Sequence, residues 1–397
     1  MELHKCEGRL LLGPGPSNVS PRVLTAMSRP LLGHLDPEFL EIMNSIQDKL
    51  RQVFQTSNAL TIPISGTGSA GMEALVANFV EDGDSVLIGV NGVFGQRLAE
   101  MVRRHGGSPT LVESSWGDPV DEKGMLEAAQ KCNPRIVAVV HAETSTGVLQ
   151  PVEPFKEICD QFGSLLLVDA VTSLGGHPVE VDSWGIDLCY SGTQKCLSCP
   201  PGLGPITVSE KAEQWLRQRT SKCKSWYLDL NLVNSYWGAD RTYHHTAPIS
   251  MNYAFLETLN LVMEEGLQKR WERHHRNHQA FVSGIEGLGL QMFVAPAYRL
   301  WSLNTVTIPE GIDDAKIRSQ LLSDHNLEIG GGLGELAGRV WRVGLMGENS
   351  SSKNVLYFLF ALGKCLKNQG FSCDPGAGVQ AAASFYAQNQ ATGDRNF

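Results

Sequence analysis

The feature that most constrains the fold is an alternation of two kinds of segment between about residues 60 and 220. Short apolar runs such as SVLIGV, RIVAVV and SLLLVDA alternate with amphipathic stretches such as GQRLAEMVRRHG. Near-continuous apolar strands joined by helical crossovers are typical of a mostly parallel sheet covered on both faces. We therefore predict an α/β fold, in which ligands bind beyond the carboxyl ends of the strands.

Length and charge narrow the class of protein further. The 397 residues suffice for a large domain and a smaller one, and the formal net charge of -9 comes with no long basic run. This composition argues against nucleic-acid binding, and no apolar run approaches the roughly 20 residues of a membrane-spanning helix. Nine scattered cysteines, an odd number, favour a reducing compartment, so we expect a cytoplasmic protein.

A second α/β pattern follows the long helices that we predict over residues 249–281. It contains the segments TVTIP, DDAKIRSQLLSDH, LEIGGG, VWRVGLM and SKNVLYFLFALGKCL. After residue 367 the sequence becomes small and polar, which predicts a mobile or loosely docked tail. We therefore divide the chain into an N-terminal arm (1–30), a large domain (31–265), a small C-terminal domain (266–366) and a tail (367–397).

The segment GTGSAG, residues 66–71, matches the GxGxxG pattern of dinucleotide-binding proteins. Glycines allow a tight turn after a strand, and the N–H groups of the next helix attract a phosphate. A dinucleotide site also requires an acidic residue about 20 positions later, at the end of the next strand, where this chain has Asn91. We therefore predict that Thr67, Gly68 and Ser69 bind a phosphate that does not belong to a nicotinamide.

Four more side chains follow predicted strands: Phe94, Thr144, Asp169 and Lys195. Each has an ordinary explanation, since most lysines are solvated, many aspartates cap turns, and most phenylalanines are core residues. Together with a phosphate loop, however, they match the needs of pyridoxal phosphate. Its aldehyde forms a Schiff base with a lysine, and a carboxylate keeps its ring nitrogen protonated so that the ring accepts electrons.

Arg342, in the strand pattern VWRVGLMG, is a candidate for substrate binding. An arginine among apolar residues either points to solvent or is partly buried beside an anion. Its planar guanidinium suits a carboxylate, which an amino-acid substrate supplies. A structural ion pair is the alternative.

Three other clusters receive simpler interpretations. Cys196 and Cys199 form a lone CxxC without a second pair, so we interpret them as structural thiols. His274 and His278 have helical i, i+4 spacing but lie among arginines, which favours a solvated helix face and no metal ion. The glycine-rich segment 330–338 predicts a close backbone approach to a ligand or another segment.

Longer motifs add a resemblance to a known family. LLLGPGPSNVSPRVL, HAETSTGVLQP, LLLVDAVTSLGG, YSGTQKCLSCPPG and GGGLGELAGRVWRVGLMG closely resemble the alanine–glyoxylate/serine–pyruvate aminotransferases, in the class V, fold type I pyridoxal-phosphate group. The resemblance extends from about residue 8 to 366. It implies a large domain built on a mostly parallel seven-stranded sheet, followed by a smaller C-terminal α/β domain.

The resemblance also implies roles for individual residues. Lys195 corresponds to the Schiff-base lysine, Asp169 to the partner of the pyridine nitrogen, and Arg342 to the arginine that binds the substrate carboxylate. The family is dimeric, and the positions that complete the neighbouring subunit's phosphate site are Tyr243 and Thr246 here. The remaining implied contacts are Val171 and Phe94 with the ring, Thr67, Gly68, Ser69 and Gln194 with the phosphate, Thr144 with the ring hydroxyl region, and the backbone around Gly15 with the substrate.

The implied reaction is ping-pong transamination from alanine or serine to glyoxylate. Phe94 departs from the tryptophan common in the animal enzymes, and Thr144 from their serine. Related transaminases for 3-hydroxykynurenine or ureidoglycine remain alternatives. A cysteine desulfurase is a weaker alternative, because those enzymes place histidines where this chain has Phe94 and Gln194. A non-catalytic binding protein would not require both Lys195 and Arg342.

Overall fold

This computed structural model describes residues 8–393, with side chains through residue 389. Residues 1–7 of the predicted arm and 394–397 of the predicted tail lie outside the described residues. The N-terminal part comprises β1 (Leu10–Leu11), α1 (Pro21–Met27) and α2 (Pro37–Phe54). Helix α2 begins after Asp36, whose carboxylate accepts the N–H of Glu38 and so caps the first turn.

The following part of the chain alternates strands and helices, as the apolar pattern predicts. Its elements are β2 (Leu60–Ser65), α3 (Gly68–Phe79), β3 (Ser85–Val90), α4 (Val93–Arg104), β4 (Ser108–Glu113), α5 (Glu122–Cys132), β5 (Ile136–Val140), β6 (Ala142–Glu143), β7 (Val148–Leu149), α6 (Pro154–Phe162), β8 (Leu165–Asp169), β9 (Leu188–Tyr190), β10 (Leu203–Val208), α7 (Glu210–Arg217) and α8 (Leu230–Trp237).

Seven of these strands form one sheet in the order β2-β10-β9-β8-β5-β3-β4. Strand β10 runs antiparallel to both neighbours, and the other adjacent pairs are parallel. Strands β6 and β7 form a small antiparallel hairpin beyond the end of β5. The predicted α/β fold with a mostly parallel seven-stranded sheet is confirmed.

Apolar layers cover both faces of this sheet, which explains why its strands are apolar without interruption. In β8, Leu165 and Leu167 pack into one layer, whereas Leu166 and Val168 pack into the other. Successive side chains of a strand point to opposite faces, so a strand buried on both sides needs apolar residues at every position.

The second unit follows α9 (Ile249–Glu265) and α10 (Leu267–Gly287), which are separated at Gly266. The elements of the second unit are β11 (Leu303–Thr307), α11 (Asp314–His325), β12 (Leu327–Glu328), β13 (Gly330–Gly331), β14 (Val340–Gly344), α12 (Ser352–Asn368) and the 3-10 turns Pro296–Tyr298, Gly334–Leu336 and Gly347–Asn349. Strands β11 and β13 flank β14 in an antiparallel sheet, and β1 pairs in parallel with β12. Leu12 lies in the apolar core of this second unit, so the N-terminal segment packs there.

The segment after residue 367 differs from the predicted loosely docked tail. Residues Pro375–Gly393 form α13, which packs against α10 and α12. Ala382 is fully buried, and the hydroxyl of Tyr386 donates to Asn277 Oδ1 at 2.7 Å. The small residues that suggested flexibility instead permit close helix packing, since Gly378 contacts Gly284 in α10. In the described part of the chain, no helix is both long and apolar enough to span a membrane.

Candidate active site

The carboxyl ends of the parallel strands converge at one edge of the sheet. The predicted phosphate loop follows β2, Phe94 follows β3, and Thr144 follows β5. Asp169 is the last residue of β8, and Lys195 follows β9. The topology therefore gathers five separate sequence segments around one volume, as expected for a ligand site of an open α/β sheet.

The phosphate loop ends in an uncapped helix. Thr67 is the N-cap of α3, but no side chain caps the helix, and its first turn contains no acidic residue. The N–H groups of Gly68 and Ser69 have no acceptor among the residues that the structure describes. Unpaired N–H groups and the positive end of the helix dipole together form a site for a phosphate.

Gln194 borders the same loop. A Cβ on Gly68 would lie 3.4 Å from Gly192 Cα, and a Cβ on Gly192 would lie 2.9 Å from Gln194 Oε1. The Oε1 atom of Gln194 is buried and has no hydrogen-bond partner within the described residues. An amide side chain beside an uncapped helix N-terminus fits a polar ligand, and its Nε2 group is the atom that would donate to a phosphate oxygen.

Lys195 is buried, with 8% of its surface exposed. Burial, with a smaller contribution from the nearby positive charge of Arg342, lowers the pKa of its amine to about 8. A pKa of about 8 leaves about a tenth of the amine neutral at pH 7, far more than for an exposed lysine, and this fraction can act as a nucleophile or base. The amine donates a hydrogen bond to the carbonyl of Pro14.

The N-terminal segment closes over Lys195 and depends on a glycine to do so. Gly15 has a φ of +103°, and a Cβ there would lie 2.6 Å from Lys195 Cδ and Nζ. Only glycine combines this backbone conformation with such a close approach. Next along the chain, the hydroxyl of Ser17 donates to Lys195 O at 3.0 Å, which ties the two segments together.

Asp169 is held by two donors in a buried setting. Its Oδ1 accepts the N–H of Val171 at 2.8 Å, and its Oδ2 accepts the hydroxyl of Tyr190 at 2.7 Å. Burial raises the pKa of Asp169 to about 6. A protonated ring nitrogen would offset the cost of burying this carboxylate and keep it ionised.

Phe94 and Val171 are far apart in the sequence, but both lie near the phosphate loop. A Cβ on Gly68 would lie 3.3 Å from Val171 Cγ2, so Val171 is adjacent to the phosphate loop. The guanidinium of Arg97 lies 4.7 Å from the centroid of the Phe94 ring and donates to Ser69 Oγ at 3.5 Å. Arg97 therefore brings a positive charge to the phosphate loop, a contact that the sequence did not indicate.

Arg342 projects from the second unit toward the loop after β5. Its Nε donates to Gly331 O at 2.7 Å, and its Nη1 donates to Thr144 O at 3.3 Å. Only 7% of the residue is exposed, and burial lowers its pKa to about 10. Because no ion pair in the described part of the chain includes Arg342, this buried cation keeps capacity for an anionic ligand.

Thr144 contributes a hydroxyl to the same region. Its Oγ1 forms a 2.7 Å hydrogen bond with Thr172 Oγ1. Among the described residues, in contrast, no hydrogen bond joins Tyr243 or Thr246 to Lys195. Their hydroxyls lie 3.5 Å apart, and the Tyr243 ring contacts His34.

The predicted solvated face of the histidine pair is wrong. His274 and His278 are both buried, and His274 Nε2 accepts the N–H of Gly347 at 2.9 Å. The arginines beside them do not force them into water, because Arg270 and Arg273 are paired with Glu265. Burial lowers the pKa of His278 to about 4, so the imidazole is neutral.

The other two clusters behave as structural features. Cys196 and Cys199 are buried free thiols, and burial raises their pKa values to about 11 and about 12. The glycine-rich segment approaches the N-terminal segment closely, since a Cβ on Gly330 would lie 2.6 Å from Pro14 Cδ. No group of three potential metal ligands occurs in the part of the chain that the structure describes.

Two buried residues near the site are absent from the sequence predictions. Tyr190 pairs with Asp169 in the register of β8 and β9, so its position follows from strand order rather than from any local motif. Glu143, in the β6–β7 hairpin, is fully buried beside Phe94.

The arrangement as a whole fits pyridoxal phosphate. The amine of Lys195 suits its aldehyde, the carboxylate of Asp169 suits its ring nitrogen, and the uncapped N-terminus of α3 suits its phosphate.

Comparisons with known proteins agree with this geometry. The family model for class-V aminotransferases matches residues 10–336. A Bacillus subtilis (S)-ureidoglycine–glyoxylate transaminase is 39% identical over 396 residues, covering 95% of each chain. The alanine–glyoxylate aminotransferase of Felis catus is 42% identical, covering 90% of this chain and 88% of the relative.

A solved structure supports the same assignment. The alanine–glyoxylate aminotransferase of Nostoc sp. is 51% identical, with a TM-score of 0.91, covering 92% of this chain and 97% of the other. Aminotransferases of this fold type use pyridoxal phosphate, so it is the cofactor that the site accommodates. This chain belongs to the class-V aminotransferase family.

Proposed function

We propose that this aminotransferase transfers an amino group from alanine or serine to glyoxylate, giving pyruvate or hydroxypyruvate and glycine. The observation that carries the proposal is Arg342, a buried guanidinium without a carboxylate partner in the described chain, near a lysine whose pKa is lowered to about 8. Relatives of both kinds are named as transaminases of glyoxylate, which supports glyoxylate as the acceptor.

Different residues of the chain have different roles in the proposed reaction. When bound, the cofactor supplies an aldehyde that captures the donor amine and a ring that accepts the electrons of the broken Cα–H bond. Arg342 binds the donor carboxylate and thereby orients its α-carbon. The amine of Lys195, with a pKa lowered to about 8, removes the α-proton. Asp169 stabilises the positive charge of the ring nitrogen.

A second candidate donor is ureidoglycine. The observation that favours it is coverage: the Bacillus subtilis relative aligns over 95% of this chain, compared with 90% for the Felis catus enzyme. The higher identity of the Nostoc protein, 51%, favours alanine. Both reactions use the same lysine and arginine, so the distinction concerns only the donor side chain.

A donor panel tests the proposal. Purified protein would be assayed with alanine, serine, ureidoglycine, 3-hydroxykynurenine and cysteine against glyoxylate and pyruvate. We expect fastest turnover with alanine or serine and glyoxylate, and Lys195→Ala is expected to be inactive with every pair. Preference for ureidoglycine would support the second candidate, and sulfide release from cysteine would support a desulfurase instead.

We also propose that the chain forms a cytoplasmic homodimer in which Tyr243 and Thr246 complete the phosphate site of the partner subunit. The exposure of Tyr243 (56%) and of the nearby Trp226 (63%) supports a subunit contact on this surface. All eight described cysteines are free, which supports a reducing compartment.

Mixed dimers test whether the two residues act across the interface. Lys195→Ala and Thr246→Arg chains are each expected to be inactive alone. After unfolding and refolding together, half of the dimers should be mixed, and each should contain one intact site. We expect recovery of about a quarter of wild-type activity. No recovery would show that Thr246 serves its own subunit.

A further inference from the structure

Helix α4, which carries Phe94, begins without a cap of its own. Its N-cap is Gly92, and its first turn contains no acidic residue. The β6–β7 hairpin supplies the missing acceptors. Ser145 Oγ accepts the N–H of Val93 at 3.0 Å, and Glu143 Oε2 accepts the N–H of Phe94 at 3.0 Å. A carboxylate and a hydroxyl from a distant segment therefore cap this helix.

The environment of Glu143 fits an ionised carboxylate. Its Oε1 accepts both the N–H of Ser145 at 3.0 Å and the Ser145 hydroxyl at 2.6 Å. Burial raises the pKa of this fully buried group, but its recorded partners are donors, and the positive end of α4 lies beside it. Hydrogen bonds from donors and a helix N-terminus both favour the charged form.

The capping side chains lie so close to Gly92 that no larger residue would fit there without overlap. A Cβ on Gly92 would lie 2.4 Å from Ser145 Oγ and 2.5 Å from Glu143 Cδ. The same hairpin also reaches the substrate side of the site, because the carbonyl of Thr144 accepts a hydrogen bond from Arg342. Glu143 thus lies between the residue that contacts the ring and the residue that binds the carboxylate.

We propose that Glu143, acting with Ser145, is a positioning residue that holds the Phe94 ring against the pyridine ring of the cofactor. This inference rests on the proposed contact between Phe94 and the cofactor ring. The residue acts through the backbone N–H of Phe94 and contacts neither cofactor nor substrate. A residue that only stabilised the fold would affect cofactor binding equally whether or not an aromatic ring is present at position 94.

A double-mutant cycle distinguishes the two roles. The dissociation constant for pyridoxal phosphate would be measured on the full-length holoenzyme from the loss of near-visible absorbance on serial dilution. The variants are Ser145→Ala and Glu143→Gln, each alone and combined with Phe94→Leu. We expect Ser145→Ala to weaken binding about tenfold and Glu143→Gln about 50-fold. In the Phe94→Leu background, both losses should shrink to about twofold.

Asp121→Ala provides a matched control. Asp121 caps α5 by accepting the N–H of Gly124 at 2.9 Å, and α5 carries no predicted site residue. This variant should lower the melting temperature as Ser145→Ala does, without changing the dissociation constant.

Three results would overturn the inference. The first is an equal loss of affinity in the Phe94→Leu background, and the second is an equal loss in Asp121→Ala. The third is a Phe94→Leu variant that binds the cofactor as tightly as the wild type, which would show that the proposed ring contact itself is wrong. If Glu143→Gln does not fold, the Ser145→Ala cycle decides the question alone. Transamination by the Phe94→Leu variant would show that the proposed function stands even where the positioning role fails.

Discussion

Two neighbouring helices, α3 and α4, begin at the same edge of the sheet but differ in whether their first N–H groups have hydrogen-bond acceptors. Both start near a glycine, and neither has a side-chain cap from its own N-cap residue or an acid in its first turn. The first N–H groups of α3 remain open within the described structure, whereas those of α4 are taken by Glu143 and Ser145. The same local motif is therefore open to a ligand phosphate in one case and bound to the protein's own carboxylate in the other.

Closing the open helix end should have the largest effect. Ser69 is exposed in the first turn of α3, so Ser69→Asp places a carboxylate where the phosphate is expected. Like charges would repel there, and we expect the affinity for pyridoxal phosphate to fall at least about 100-fold. Pyridoxal, which lacks the phosphate, should lose much less affinity. Titration of near-visible absorbance with both compounds measures the two effects.

An exposed serine in another first turn provides the control for this substitution. Ser352→Asp introduces the same charge at the start of α12, away from the sheet edge, and should leave both affinities unchanged. Equal losses for pyridoxal phosphate and pyridoxal in Ser69→Asp would contradict a phosphate site at α3.

Adding a side chain at the capped N-terminus of α4 should have a smaller effect, and this effect should be on the stability of the fold. Gly92 has an extended φ of 168°, so alanine creates no backbone strain there. Its Cβ would nevertheless overlap Ser145 Oγ and Glu143, and we expect Gly92→Ala to lower the free energy of unfolding by about 1–3 kcal/mol. Chemical denaturation measures the loss.

Gly124→Ala is the matched comparison for that variant. Gly124 lies in the first turn of α5, where a Cβ would be 3.4 Å from Asp121 Oδ2. We expect no loss of stability there, because alanine has the higher helix propensity. A Gly92→Ala protein as stable as Gly124→Ala would show that the cap of α4 is loose.

The contrast also shows what the sequence can predict. Lys195 and Asp169 follow apolar strands, and topology alone brings such positions to one edge, so they could be found without a structure. Glu143 could not, because its contact with α4 depends on how the β6–β7 hairpin folds back over 49 residues of sequence separation. Tyr190 is intermediate: its contact with Asp169 follows from strand register once the order of β8 and β9 is known.

The two errors have a related cause. The sequence predicts His274 in water because of its arginine neighbours. Within the fold, however, Arg270 and Arg273 share the carboxylate of Glu265, and both ring nitrogens of His274 are hydrogen-bonded to backbone groups. The tail was expected to be loose because of its small residues, but Gly284 and Gly378 let α13 approach α10 closely. Composition describes a segment in isolation, whereas burial depends on the partner that it meets.

The smallest predicted effect concerns the positive charges around Lys195, on the side of the site where the N-terminus of α3 is open. The pKa of Lys195 is lowered to about 8, first by burial and then, among nearby charges, by Arg342 and Arg97. Removing Arg342 as Arg342→Gln should raise that pKa by about half a unit. Uptake of pyridoxal phosphate requires the neutral amine, so the pH midpoint of the uptake rate should move upward. Arg97→Gln should move it less, and exposed Arg217→Gln not at all.

The same shift predicts how stability changes with pH. Between pH 8 and 10.5 the unfolded chain keeps a proton on Lys195 that the folded chain has lost. The contribution of Lys195 to the free energy of unfolding therefore rises with pH across that window. Below pH 8 the folded protein bears the full cost of burying the charged amine. In Arg342→Gln the window should begin at a higher pH. An uptake midpoint that is the same in wild type and Arg342→Gln would show that burial alone sets the lysine pKa, and that the open helix end does not belong to a wider electropositive site.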